Sequence, residues 1–263
     1  MRSFQLGMDN IGNNIANVKT NGYKASRVSF SDTFAQTIGS TGFENHSFKQ
    51  VGSGVDVHAI QNVHQQGPLE NSGVVGNMAI DGNGFFVVQN ERTGEEFLTR
   101  DGNFTTDSEG FLLNVNGLRV QGFNDENLNA IGDIQIRGPE GRAVESWDVS
   151  LNGLVRVKLD DGTVSTVGQV LLKNVENKDA LKLEGGNLYS RSELAGVTDW
   201  DTESGRPGEN ALGNIEYGRL ELSNVDLGTE FTNMITTQRA YQASARIITT
   251  SDEMLQEVIS LKR

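Results

Sequence analysis

Toward the C-terminus, apolar residues recur at alternating steps of four and three: Leu227, Phe231, Met234, Tyr241, Ala245, Ile248, Leu255 and Ile259. Gln238 and Asp252 fill the remaining slots of the same series. This is the spacing of a coiled-coil seam, and it predicts one unbroken helix over 227–261, roughly 50 Å long at 1.5 Å per residue. Asp226 stands where an N-cap belongs, and Lys262 and Arg263 bring positive charge to the negative end of the helix dipole. At the opposite end of the chain Phe4, Met8, Ile11, Ile15 and Val18 step by the same rule until Thr20-Asn21-Gly22, whose Asn-Gly pair favours a turn. Matching seams at both termini predict two helices that pair. The polar seam positions Gln238 and Asp252 would set register at some cost in stability.

Between the seams the period changes. Residues 35–73 carry only scattered apolar anchors and a stretch rich in Gly, Ser, Asn and Thr, and read as an extended linker with short strands, one of them near 55–60. From Val74 onward the period is two. Strand-like runs fall at 78–80, 85–89, 96–99, 111–114, 118–121, 133–136, 154–158, 164–172 and 187–189. Asp81-Gly82, Asp101-Gly102, Asn116-Gly117, Asn152-Gly153 and Asp161-Gly162 separate several of them, and such pairs supply the positive φ of tight hairpins. The expected class is α+β. Residues 1–34 form an N-terminal helix and turn, 35–73 a linker, 74–218 an all-β domain and 219–263 a long C-terminal helix that closes with the first one into an inner domain.

Composition narrows the function. The 263 residues carry a net charge of −13, which argues against nucleic acid or an anionic membrane as partner. There is no cysteine, hence no disulfide framework and no thiolate chemistry. The 31 glycines against 3 prolines suit turn-rich β structure. No apolar run is long enough for a transmembrane helix, and the first residues lack the apolar core of a secretory signal peptide.

Candidate chemistry does not develop. Asp81-Gly82-Asn83-Gly84 starts like a calcium loop, but Phe85 cannot ligate at the fifth position and Arg92 stands where the loop needs its glutamate. Asp101-Gly102-Asn103 departs in the same way at Thr105. His46, His58 and His64 are the only histidines and have no metal-ligand spacing. Gly82 and Gly84 lack the third glycine and the strand-to-helix context of a dinucleotide fold. The residues give no ground for catalysis, a metal or a cofactor.

Two terminal blocks do carry a resemblance. The N-terminal run Asn13-Asn14-Ile15-Ala16-Asn17, followed by Thr20-Asn21-Gly22-Tyr23-Lys24, resembles the N-terminal signature of the axial proteins of the bacterial flagellum: rod, hook and hook-associated subunits. Leu222-Ser223-Asn224-Val225-Asp226-Leu227 and Met234-Ile235-Thr236-Thr237-Gln238-Arg239-Ala240-Tyr241-Gln242 resemble the C-terminal signature. Ala79 to Phe86, Thr99 to Phe104 and Gly185 to Tyr189 resemble blocks of the middle.

The resemblance implies a structural subunit that leaves the cell by flagellar type III export and polymerises helically with itself. Its other partners would be further axial proteins: rod, hook cap and hook-associated proteins. The tail from Ile247 to Arg263 and the run Ala25 to Phe30 look most like hook proteins, so a hook subunit is the first expectation and a distal rod subunit the second. A secreted β-rich binding module is a distant third. Inner-domain packing is expected at Met8, Ile11, Ile15, Val18, Leu227, Phe231, Met234, Gln238, Tyr241, Ile248, Leu255 and Ile259, and signature roles at Asn13, Asn14, Ala16, Asn17, Gly22, Asn224, Gln238 and Arg239. Further residues before Phe4 are expected from the resemblance.

Overall fold

The computed structural model describes residues 1–40, 48–124, 130–138, 142–190, 204–209 and 211–261. It is an α+β protein with a helix near each end and a mostly β middle. The chain divides into two compact units: Met1–Val18, Ala25–Val63 and Val225–Arg263 form one, and Lys19–Lys24 with His64–Asn224 form the other.

The first unit holds helix α1 (Arg2–Ala16), strands β1 (Ser26–Asp32), β2 (Ala35–Ser40), β3 (Phe48–Gly52) and β4 (Val55–Asn62), and helix α2 (Leu227–Leu261). α2 has the bounds that its heptad spacing predicts. Its Asp226 cap is in place, with the carboxylate accepting from the Gly228 N–H at 2.8 Å and the Thr229 hydroxyl at 3.2 Å. Those N–H and O–H bonds hold the Asp226 carboxyl below the usual carboxylate range. Strands β1 and β4 pair antiparallel from Ser26↔Asn62 to Asp32↔Val55, and β2 and β3 continue from Ala35↔Gly52 to Ser40↔Phe48. The Thr33 N–H to Gly54 carbonyl and Ser53 N–H to Phe34 carbonyl bonds join the two ladders into one two-stranded ribbon. Phe34, at the junction, is 87% exposed.

The second unit carries strands β5 (Leu69–Asn71), β6 (Met78–Asp81), β7 (Phe85–Gln89), β8 (Glu96–Thr99), β9 (Phe104–Thr106), β10 (Leu112–Asn114), β11 (Arg119–Phe123) and β12 (Ile131–Asp133). It continues with β13 (Val144–Val149), β14 (Leu154–Leu159), β15 (Val164–Val170), β16 (Leu172–Lys173), β17 (Lys182–Gly185), β18 (Leu188–Ser190), β19 (Ser204–Gly205), β20 (Asn214–Tyr217) and β21 (Arg219–Glu221). The main sheet runs β13-β14-β15-β11-β7-β8-β18-β17, while β20 pairs with β6 and β21 with β5.

Strand β7 explains where the core sits. Successive side chains alternate across a sheet, so Phe86 and Val88 enter one buried cluster with Met78, Ile80, Phe104 and Val120. Phe85 and Val87 enter a second, with Leu98, Leu171, Leu181 and Tyr189. A strand covered on both faces reads as an unbroken apolar run, as Phe85-Phe86-Val87-Val88 does.

Three of the expected hairpin turns form. Gly117, Gly153 and Gly162 have φ of 76°, 77° and 76°, and they join β10 to β11, β13 to β14 and β14 to β15. The other two are not hairpins. β6 and β7 do not pair with each other, and neither do β8 and β9. At the second site the Asp101 carboxylate takes the Asn103 N–H at 3.1 Å, forming a local turn. Gly102 is needed there for close approach, since a Cβ would lie 1.5 Å from the Met78 carbonyl oxygen.

Phe86 has no exposed surface and meets Phe104 edge to face at 5.1 Å. Phe86→Ala is expected to destabilise the β-rich unit by about 3–5 kcal/mol. Urea unfolding followed by Trp fluorescence measures this; a loss under about 1 kcal/mol would place the core elsewhere.

Candidate functional site

One polar assembly in each unit holds a terminal segment of the chain. In the helical unit the centre is Asn14, which is 1% exposed. Its amide donates to the Ser26 carbonyl at 2.8 Å and to the Glu230 carboxylate at 3.2 Å. Its carbonyl oxygen accepts the Ser26 N–H at 3.0 Å. One side chain thus bonds α1, the first residue of β1 and the first turn of α2. Asn10 adds a 2.6 Å bond to the Ser26 hydroxyl, and Gly7 is buried beside Phe30 and Thr237, where a Cβ would make ordinary contacts at 3.4 Å and 3.7 Å.

In the β-rich unit the centre is Glu221, the last residue of β21, whose side chain has no exposed surface. One carboxylate oxygen lies 2.5 Å from the Lys24 ammonium and takes the Gly67 N–H at 2.9 Å. The other lies 3.2 Å from the Arg100 guanidinium. Lys24 also donates to the Gln65 carbonyl at 2.9 Å, and Arg100 to the Gly82 carbonyl at 2.8 Å. Burial draws Lys24 and Arg100 below their usual ranges, and the Glu221 charge opposes it in both. The backbone joins in, with Gly22 N–H on the Glu221 carbonyl at 2.7 Å. Gly22 has a φ of 68°, and a Cβ would sit 2.7 Å from the Asp101 nitrogen, so only glycine fits. Asn224 donates to the same Gln65 carbonyl at 3.0 Å, and Asn187 to the Asn21 carbonyl at 2.7 Å.

The residues expected from the seams divide. Met8, Ile11, Ile15, Val18, Met234 and Tyr241 are half-buried, whereas Leu227, Phe231 and Gln238 are exposed. Ile248, Leu255 and Ile259 are 57%, 61% and 70% exposed, and no residue of α2 is buried. Of the signature residues, Asn14 and Gly22 are buried, and Asn17 and Asn224 half-buried. Asn13, Ala16, Gln238 and Arg239 face solvent, though the Asn17 amide bonds the Asn13 side chain at 2.9 Å. The spacing argument missed Glu221, Arg100, Ser26 and Glu230. Their signal was weak: each is a polar residue within or beside a signature block, with a partner far away in sequence.

A family model described as the flagellar basal body rod FlgEFG protein C-terminal region matches residues 217–261, and one described as the flagellar hook protein FlgE/F/G D1 domain matches residues 79–157. The flagellar basal-body rod protein FlgG of Bacillus subtilis is 37% identical over an alignment that covers all of this chain and 96% of that protein. The protein of that name in Borreliella burgdorferi is 32% identical, again over all of this chain and 96% of its own length.

The chain belongs to the flagellar rod and hook protein family. It is a structural protein of the flagellar axis. The flagellar hook protein FlgE of Treponema pallidum is 23% identical, and its alignment needs 459 positions to span this chain and 98% of that protein. The first expectation, a hook subunit, is therefore less well supported than its alternative, a rod subunit.

Replacing Asn14 by Ala leaves the Ser26 N–H and the Glu230 carboxylate without this partner. Amides of α1 are expected to lose about 1–3 kcal/mol of protection in hydrogen exchange, with the β-rich unit unchanged. Unaltered α1 protection would show that Asn14 does not hold the helix.

Proposed function

We propose that this chain is a rod subunit of the flagellar basal body, in the distal rod, which polymerises helically with copies of itself and with neighbouring axial proteins after flagellar type III export. The observation that carries the reading is the 37% identity to a rod protein along the whole chain, without the long additional stretch that the aligned hook protein brings. In this reading α1 and α2 pair through their seams as the inner domain: Met8, Ile11, Ile15 and Val18 against Leu227, Phe231, Met234 and Tyr241. The β-rich unit is the outer domain. Ile248, Leu255 and Ile259, exposed in the single chain, are covered in the assembled axis. Exposed apolar stripes of this size mark interaction surfaces, and a head-to-tail contact between different faces of one subunit builds an open helical polymer.

Basal bodies stripped of their hooks test the reading. Antibody to this chain is expected to label the rod and to remain after the hook is removed; label confined to the hook would restore the hook reading. The seam has its own test. Gln238→Leu is expected to change polymer shape, because the polar seam position penalises wrong registers, and wild-type morphology in that variant would remove Gln238 from the register.

A further inference from the structure

The β-rich unit receives the chain at 18/19, releases it at 24/25, receives it again at 63/64 and releases it at 224/225. The strip that begins at His64 touches the chain at two of these crossings, beside 24/25 and 224/225. The Gln65 carbonyl holds both Lys24 and Asn224. The Gln66 side chain accepts the Gly82 N–H at 3.0 Å and donates to the Ile80 carbonyl at 3.3 Å. The Gly67 N–H binds Glu221, and a Cβ at Gly67 would lie 2.1 Å from the Leu222 carbonyl oxygen. Within the β-rich unit, Gln65 and Gly67 therefore form a latch on the segments at 24 and 221–224, and Gln66 ties the strip to β6 and its following turn.

His64 opens that strip in an unusual setting. Its ring packs on Tyr189 at 5.6 Å and edge-on to Phe85 at 6.1 Å, and those two rings meet at 5.9 Å. Its Nδ1 is enclosed with no hydrogen-bond partner. The charged groups that face it are Lys24 from the turn after α1, Arg100 from the end of β8, and Lys178 and Asp179 from the 3-10 turn at Lys178–Ala180. Tyr189 stays neutral, its phenol pushed up to about 12 by burial. Glu221 already serves Lys24 and Arg100. Three cations thus oppose a proton on His64, and of these four groups Asp179 alone favours one.

We propose that His64 is a proton-operated release for this latch: adding a proton to its ring drives the 64–67 strip out of the aromatic box, and the strip takes with it the carbonyl that holds Lys24 and Asn224. The release does not depend on whether the chain builds rod or hook. Burial first, then the Lys24 charge, pushes the imidazole down to about 4 from its ordinary 6.5. The open strip therefore binds the proton more readily than the closed one. Closure is complete above about pH 6.5 and weakens up to about tenfold per pH unit as pH falls toward about 4, below which the loss levels off.

Hydrogen exchange of the full chain between about pH 7 and about pH 4.5, corrected for intrinsic rates, tests this. Peptides covering 19–25, 64–68 and 219–224 are expected to open up to about tenfold per pH unit, while β7 and β8 keep their protection. His64→Phe keeps a ring in the box and takes no proton, so its profile is expected to be flat. An H64F profile that follows the wild type would overturn the proposal, as would equal loss across the whole unit. The imidazole signal of His64 in the unaltered chain decides the matter even if H64F fails to fold. A titration midpoint near 4 supports the release, and one near 6.5 overturns it.

Discussion

A carboxylate with no exposed surface, between two buried cations, is the constraint on which the β-rich unit depends. Taking ions out of water costs several kcal/mol each, and only close geometry with further hydrogen bonds offsets that cost. Glu221 meets the condition with Lys24, Arg100 and the Gly67 N–H on its two oxygens. The three charged residues come from the turn after α1, the end of β8 and the last strand before α2. The charge balance therefore closes only when both ends of the chain are in place. Gly22 and Gly67 serve the same junction by letting backbone approach backbone where no side chain fits.

Much of the fold was legible because its cause is local. Leu227–Leu261 is a helix because the heptad spacing runs unbroken behind an Asp cap, and β7 is central because four successive residues are apolar. Asn116-Gly117, Asn152-Gly153 and Asp161-Gly162 turn hairpins because they supply positive φ. Asp81-Gly82 and Asp101-Gly102 carry the same residues but join strands that pair elsewhere, a tertiary fact that no dipeptide encodes. Of the β1–β4 ribbon only the run near 55–60 reads as a strand; residues 26–32 fall in the N-terminal helix and turn and the rest in a linker, because much of the ribbon is exposed and its apolar residues are few and scattered. The Glu221 cluster was illegible for a different reason. Its partners stand at 24, 100 and 221, and in an acidic chain nothing local separates a buried carboxylate from the many solvated ones.

The family signature divides along the same line. Asn14, Gly22 and Asn224 act within the single chain, each bonding or fitting a distant segment. Gln238 and Arg239 lie exposed on α2 and have no such role there, which suits residues that act between subunits under the proposed assembly. The choice between rod and hook rested, in the sequence, on short terminal resemblances. The whole-length identity to rod proteins, and the longer alignment that the hook protein needs, weigh more because they draw on the middle of the chain as well.

The central claim is that the Lys24–Glu221 pair acts as a coupled buried unit. A double-mutant cycle with Lys24→Met and Glu221→Gln, read by urea unfolding of the full chain, measures it most directly. Glu221→Gln alone should cost about 3–5 kcal/mol, because it strands two buried cations. The double variant should cost less than the two singles together, with a coupling of about 2–3 kcal/mol. Additivity to within about 0.5 kcal/mol would contradict the account.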